Sequence, residues 1–134
     1  MIVDSSAIIA ILRGEPEAES FINALAQDNR PLISAGTYIE TAIIVDSNHD
    51  PILSGQFNQL LASAGIEIEP VTKEQSYIAR EAYRNFGKDS GHPASLNFGD
   101  CFAYALSIAT SQPLLFKGTN FRQTDVKPVI KPRE

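Results

Sequence analysis

An α/β domain with a mainly parallel sheet is what this sequence predicts. Short apolar runs of strand length alternate along the chain with longer segments whose apolar residues recur every three to four positions. Glycines and prolines punctuate them, and the 134 residues have the length of one domain. Residues 1–134 therefore read as a single domain, with Lys131-Pro132-Arg133-Glu134 as a mobile tail.

The elements follow in order. Ile2-Val3-Asp4 is a short first strand, and Ser5 or Ser6 caps a helix carrying Ile8, Ile9, Ile11 and Leu12 until Gly14 breaks it. Pro16 suits the start of a second helix, Glu17 to Gln27, with Ala18, Phe21, Ile22 and Leu25 as its buried stripe. Pro31 leads a strand at Leu32-Ile33-Ser34, and Thr37 starts a third helix reaching about Asn48. Asp50-Pro51 opens a fourth, with Leu53, Phe57, Leu60 and Leu61 at helical spacing and Gly65 as its stop. Ile66 to Val71 alternates with period two and predicts a half-buried strand. Thr72 and Gln75 have capping-box spacing ahead of a helix ending near Phe86. A loop rich in Gly, Ser, Asn and Pro spans 87–99, and Asp100 caps or begins a helix ending near Ser111. Leu114-Leu115-Phe116 is a strand, Gly118 turns the chain, and Val129-Ile130 is a weak last strand.

Composition excludes several functions. The single cysteine, Cys101, permits no intramolecular disulfide, which points to a reducing compartment. With only His49 and His92 beside it, far apart, no zinc-type spacing exists. No apolar run approaches the roughly 18 residues of a membrane span. Asp4 stands where a secretory signal would be apolar, so the chain reads as cytoplasmic, with no membrane partner. Its net charge of −5 is wrong for gripping a nucleic acid by bulk electrostatics. A polyanionic substrate would need a bound cation plus local bases, for which Arg13, Arg80, Arg84, Lys88, Lys117 and Arg122 are the candidates.

The informative residues are three acids in apolar surroundings. Asp4 closes the first strand, Glu40 interrupts the uncharged run from Ala35 to Val45, and Asp100 opens the small-and-apolar run through Leu106. A carboxylate near a core costs several kcal/mol unless something pairs with it. Asp4 and Asp100 each read equally well as helix caps. Glu40, in mid-helix, caps nothing, and its neighbours Gly36, Ile43 and Ile44 carry no positive charge. Taken together, the acids call for a shared divalent cation. Oxygen-only ligands select Mg²⁺ or Mn²⁺ over zinc, and such an ion activates water and stabilises charge on a phosphate.

Longer motifs carry a resemblance. They are Ile2-Val3-Asp4-Ser5-Ser6-Ala7, Gly14-Glu15-Pro16-Glu17-Ala18, Ile33-Ser34-Ala35 leading to Glu40, and Tyr83-Arg84-Asn85-Phe86-Gly87-Lys88. Then come His92-Pro93-Ala94, Leu96-Asn97-Phe98-Gly99-Asp100-Cys101-Phe102-Ala103-Tyr104-Ala105, and Leu114-Leu115-Phe116-Lys117-Gly118, with Phe121 and Thr124-Asp125 after them. In register over nearly the whole chain, these resemble the PIN-domain ribonucleases, and among them the VapC toxins of toxin–antitoxin pairs. The resemblance implies a PIN-like three-layer α/β/α sandwich around a mainly parallel sheet. It implies Asp4 and Asp100 as metal ligands, and Glu40 binding the metal directly or through water and activating the attacking water. It implies that Ser6 contributes a hydroxyl near Asp4. The implied reaction is Mg²⁺- or Mn²⁺-dependent hydrolysis of RNA. The implied partners are a VapB-type antitoxin, whose C-terminal segment covers the acidic cleft, and a second copy in a homodimer.

One position departs from the pattern. Where the family carries Gly-x-Asp-Phe after the fourth strand, this chain has Gly118-Thr119-Asn120-Phe121. Asn120 keeps a carbonyl acceptor but loses the charge, which weakens any second metal site. An alternative reading follows: a PIN-fold protein that binds RNA or antitoxin with weak or lost nuclease activity.

Smaller signals remain. Arg84, Lys88 and Lys117 are candidates for holding RNA phosphates. Tyr83, Phe86 and Tyr104 have the spacing of core residues as well as the chemistry of base stacking. His92 reads as fixing its turn with Pro93, and Cys101 as a small buried residue. The run Ile8 to Leu12 and the helices at 17–27 and 53–61 frame either ordinary core or a groove for a partner helix.

Overall fold

The computed structural model describes residues 1–131. Four strands, β1 (Ile2–Val3), β2 (Leu32–Ser34), β3 (Glu67–Glu69) and β4 (Leu114–Leu115), form one parallel sheet in the order β3-β2-β1-β4. Six helices accompany them among the described residues: α1 (Ser5–Leu12), α2 (Ala18–Ala26), α3 (Ala35–Asp46), α4 (Pro51–Ser63), α5 (Lys73–Phe86) and α6 (Phe98–Thr110). A 3-10 turn at Phe121–Gln123 follows β4.

Two-residue alternation along the strands builds the layers. Val3, Ile33 and Leu115 face one way, into a core with Ile8, Phe21, Leu25, Val45 and Phe57 from α1 to α4. Ile2, Leu32 and Leu114 face the other way, against Ala82, Ala103, Tyr104 and Leu106 from α5 and α6. The central strands are thus apolar on both faces because both are covered, the habit of parallel sheets. The result is the three-layer α/β/α sandwich.

Strand order places the functional end. The chain steps outward from β1 to β2 and β3, then returns to add β4 on the other side of β1. Beyond the carboxyl end of β1 the connections diverge, leaving a crevice of the kind in which α/β folds seat their ligands. Asp4 is the first residue past that end.

Several boundaries differ from the sequence expectation, each for a local reason. The cap of α1 is Asp4 itself, which accepts from the Ser6 N–H, rather than Ser5 or Ser6. The third helix starts at Ala35, because Ser34 ends β2 and its hydroxyl accepts from the Gly36 N–H at 3.2 Å; it ends at Asp46. Residues 66–71 give only the edge strand β3, and Ile68 is 48% exposed rather than buried. Thr72 accepts from Gln75 N–H, but the Gln75 side-chain oxygen is buried without a partner, so the reciprocal half of the box is not made. Helix α6 is capped by Asn97, three residues earlier than expected. The weak strand at 129–130 reduces to a single bridge between Leu114 and Pro128, in which the Leu114 N–H donates to the Lys127 carbonyl at 2.8 Å and the Val129 N–H donates to the Leu114 carbonyl at 3.0 Å. The tail read as mobile falls, all but Lys131, outside the described residues.

Candidate active site

Each acid is delivered by a different element. Asp4 leaves β1 and is 2% exposed. Its Oδ2 accepts from the Ser6 hydroxyl at 2.6 Å and the Ser6 backbone N–H at 3.0 Å. The Ser6 hydroxyl in turn accepts from the Lys117 N–H at 2.9 Å, so the ends of β1 and β4 share one side chain. Asp100 sits in the first turn of α6, where its carboxylate accepts from the Asn97 N–H at 2.9 Å and the Asn97 side chain accepts from the Asp100 N–H at 2.9 Å. This reciprocal box fixes the carboxylate at the positive end of a helix dipole. Glu40 comes from mid-α3, half-buried, and its Oε1 accepts from the Ser5 hydroxyl at 3.1 Å.

Close contact between α3 and α6 brings the last two acids together. A β carbon on Gly99 would collide with the Glu40 carboxylate, and one on Gly36 would collide with the Phe102 ring. Glycine on each helix therefore makes room for the side chain of the other. Ser5 and Gly99 are the site residues that sequence reasoning missed as such. The weak signal for Gly99 was a glycine directly before Asp100 at a helix start, where propensity does not call for one.

Electrostatics tie the acids into one centre. Burial pushes the Asp4 carboxyl up to about 6, against the Ser6 hydrogen bonds, and the charges of Asp100 and Glu40 push the same way. Burial raises Glu40, with Asp100 adding to it against the Ser5 bond. Asp100 is raised by burial, opposed by the Asn97 N–H. Among the described residues no lysine or arginine forms an ion pair with any of the three.

The donor set fits a hard cation held loosely. Asp4 Oδ1 is buried and has no hydrogen-bond partner, and all the candidate donors are oxygens. Among the described residues no three His, Cys, Asp or Glu side chains form a ready-made cage. One or two carboxylates with water completing the shell is how Mg²⁺ is bound, and it is unlike a structural zinc site.

A PIN-domain family model matches residues 1–127. The chain belongs to the PIN-domain family. This PIN domain is 48% identical over 133 residues to VapC ribonuclease Mb0625 of Mycobacterium bovis, spanning 99% of the chain and 100% of that protein. Ribonuclease VapC28 of Mycobacterium tuberculosis matches with the same figures, and Ribonuclease VapC42 of that species is 43% identical over 128 residues, or 96% of the chain and 98% of the relative. Among solved structures, Mycobacterium tuberculosis VapC20, a sarcin-ricin loop cleaving toxin, superposes with a TM-score of 0.72 at 16% identity, covering 98% of both chains. A toxin–antitoxin complex from Klebsiella pneumoniae superposes at 0.66, also at 16% identity, covering 90% of this chain and 88% of that one. At such identities the solved structures speak for the PIN fold alone.

The remaining candidates divide. Asn120 lies past the end of β4, exposed, at the start of the 3-10 turn, with no side-chain cap bond. Lys117, a candidate for RNA phosphates, has its ammonium 3.1 Å from Glu15 and 3.1 Å from Glu17. Arg84 and Lys88 are exposed, and among the described residues no ion pair engages either. His92 accepts from the Ala94 N–H through Nδ1 at 3.0 Å and packs edge-on against Phe86, so it holds its loop. Cys101 is buried and its thiol is pushed up to about 11, chiefly by burial, which leaves it unreactive at neutral pH. The framed groove of α1, α2 and α4 is mostly core; a cleft of about 180 Å³ remains between α2 and α4, lined by Ile22, Leu25 and Leu60.

Proposed function

We propose that this PIN domain is a metal-dependent endoribonuclease and the toxin of a toxin–antitoxin pair, acting in the cytoplasm. The observation that carries the reading is the convergence of Asp4, Glu40 and Asp100 at the carboxyl end of β1, with no base among the described residues paired to any of them. The VapC ribonucleases to which the chain is similar over its full length support the same activity.

The geometry supports the following roles. Asp4, through its unpartnered Oδ1, and Asp100 would hold Mg²⁺ or Mn²⁺. Bound there, the ion would supply Lewis acidity toward a water and toward the scissile phosphate. Glu40, whose raised pKa favours proton uptake, orients that water and accepts its proton. Ser6 keeps Asp4 turned toward the ion while bonded to the Lys117 N–H. Asn120 offers a neutral carbonyl at the fourth position. Arg84 and Lys88, exposed and in no ion pair among the described residues, would meet RNA phosphates.

Two protein partners complete the proposal. An antitoxin of the VapB type covers the acidic cleft. A second copy pairs through an apolar face beside Glu40, a groove of about 560 Å³ lined by Gly36, Ile39, Ile43 and Phe102 and bordered by Phe98. Phe98, 76% exposed, borders this groove and a second apolar cleft lined by Val71 and Cys101, so the face offers both a knob and holes to its own copy.

The test is cleavage of labelled structured RNA by antitoxin-free protein in Mn²⁺, in Mg²⁺ and in chelator, beside Asp100→Ala and Asn120→Asp. The expected result is metal-dependent cutting by the native protein, lost in Asp100→Ala by at least about a hundredfold. Cutting by Asn120→Asp alone would instead favour the binding-protein alternative.

A further inference from the structure

The two hydroxyls that follow Asp4 do different work. Ser6 donates to Asp4 Oδ2 at 2.6 Å, while Ser5 donates to Glu40 Oε1 at 3.1 Å, across from α1 to α3. Glu40 has a long side chain on a half-buried face, which would otherwise sample several rotamers. Its other oxygen, Oε2, lies over the Cα of Gly99, where a methyl group would not fit. The carboxylate is thus gripped from one side by the first turn of α1 and from the other by the first turn of α6. Those are the turns that present Asp4 and Asp100.

Ser5 is not needed to build its helix. Asp4 caps α1 through the Ser6 N–H, and the Ser5 hydroxyl bonds only to Glu40 among the described residues. Its hydroxyl therefore serves the neighbouring acid. We propose that Ser5, with the open Cα face of Gly99, is the positioning residue for Glu40, setting that carboxylate's distance and angle to the cation held by Asp4 and Asp100. The proposal rests on the nuclease reading for its kinetic consequence and on the hydrogen bond and the Gly99 contact for its geometry.

The experiment compares native protein with Ser5→Ala, Ser5→Thr and Gly99→Ala, each alone and with Glu40→Gln. It measures kcat and KM for RNA cleavage in Mn²⁺, the affinity for Mn²⁺ alone by electron paramagnetic resonance, and the melting temperature. Ser5→Ala is expected to lower kcat about tenfold or more, the loss typical when a group orienting a metal-site ligand is removed, with KM and melting near native. Ser5→Thr, which keeps the hydroxyl, restores the rate. Gly99→Ala, displacing Glu40 from the other side, reproduces the loss. In the Glu40→Gln background Ser5→Ala adds nothing, because its effect passes through Glu40.

A native kcat in Ser5→Ala, a full further loss on top of Glu40→Gln, or failure of threonine to rescue would each overturn the assignment. Native protein that binds Mn²⁺ but cuts no RNA would defeat the nuclease reading alone. The Mn²⁺ titration then decides: several-fold weaker binding in Ser5→Ala, absent in the Glu40→Gln background, sustains the positioning role, and unchanged binding ends it.

Discussion

At the scale of single residues, three carboxylates lie together with no base among the described residues paired to them, and burial raises the proton affinity of each. Asp4 is the sharpest case. Its carboxyl titrates near 6 in the folded chain against 3.8 when unfolded, so the folded state holds the proton more tightly. The stability this provides is present in full below about pH 4 and is lost as pH rises through 6, about 3 kcal/mol for so buried a group. Urea unfolding in chelator should therefore show native protein losing stability relative to Asp4→Asn between pH 4 and pH 7. A difference that stays flat across that range would mean that Asp4 ionises as freely folded as unfolded. Adding Mg²⁺ at pH 7 should raise the stability of native protein more than that of Asp4→Asn, because an ion relieves the repulsion that burial and neighbours impose. Asn120 belongs to this scale too. Its replacement by aspartate adds a charge at the fourth position and should lower the Mn²⁺ concentration for half-maximal cleavage severalfold; an unchanged titration would show that the side chain does not reach the ion.

At the scale of elements, helix starts do the placing. The starts of α1 and α6 each bring a carboxylate to the centre, and each is locked by a side-chain cap. The Asn97 box is the more exposed of the two, and Asp100 depends on it for orientation. Asn97→Ala should destabilise the protein by about 1 kcal/mol and reduce cleavage by more than that loss of folded population explains. Asn97→Ser, which keeps a capping acceptor, should recover most of both. Thermal melting and kcat, read together, separate the two effects. Elements also show where reading the sequence stopped short. Helices with strong caps and stops, such as α4 between Asp50 and Gly65, were legible to within a residue or two. The edge strand β3 and the stretch after Val126 were not: β3 is three residues long with Ile68 exposed, and the later stretch packs on the core while making only a single bridge to Leu114.

At the scale of the whole molecule, the sheet order decides which ends meet. Because β1 lies between β2 and β4, the carboxyl end of β1 is the crevice, and α3 and α6 approach it from opposite layers. The same approach leaves Phe98 and Ile43 exposed beside the acids, Ile43 at 63%. Monomeric proteins rarely leave contiguous large apolar patches uncovered. Ile43→Lys is therefore expected to shift native dimers to monomers in sedimentation equilibrium at micromolar concentration while the melting temperature of the monomer stays near native. A chain that is monomeric before the substitution would remove the pairing from the proposal.

The α/β class, most helix limits and the three acids are legible in the residues alone, because apolar period, caps and breakers are local, and because a charge in an apolar run stands out wherever it occurs. Asn120 is legible too, since a motif departure is read one position at a time. The folded chain alone shows that Ser5 reaches Glu40 across 35 residues, that a side chain at Gly99 would collide with Glu40, and that Lys117 lies between Glu15 and Glu17. Those are contacts between two helices of one layer, between helices of different layers, or between the end of β4 and the loop after α1. Nothing in local spacing encodes them; they follow from the order in which parallel strands are laid down.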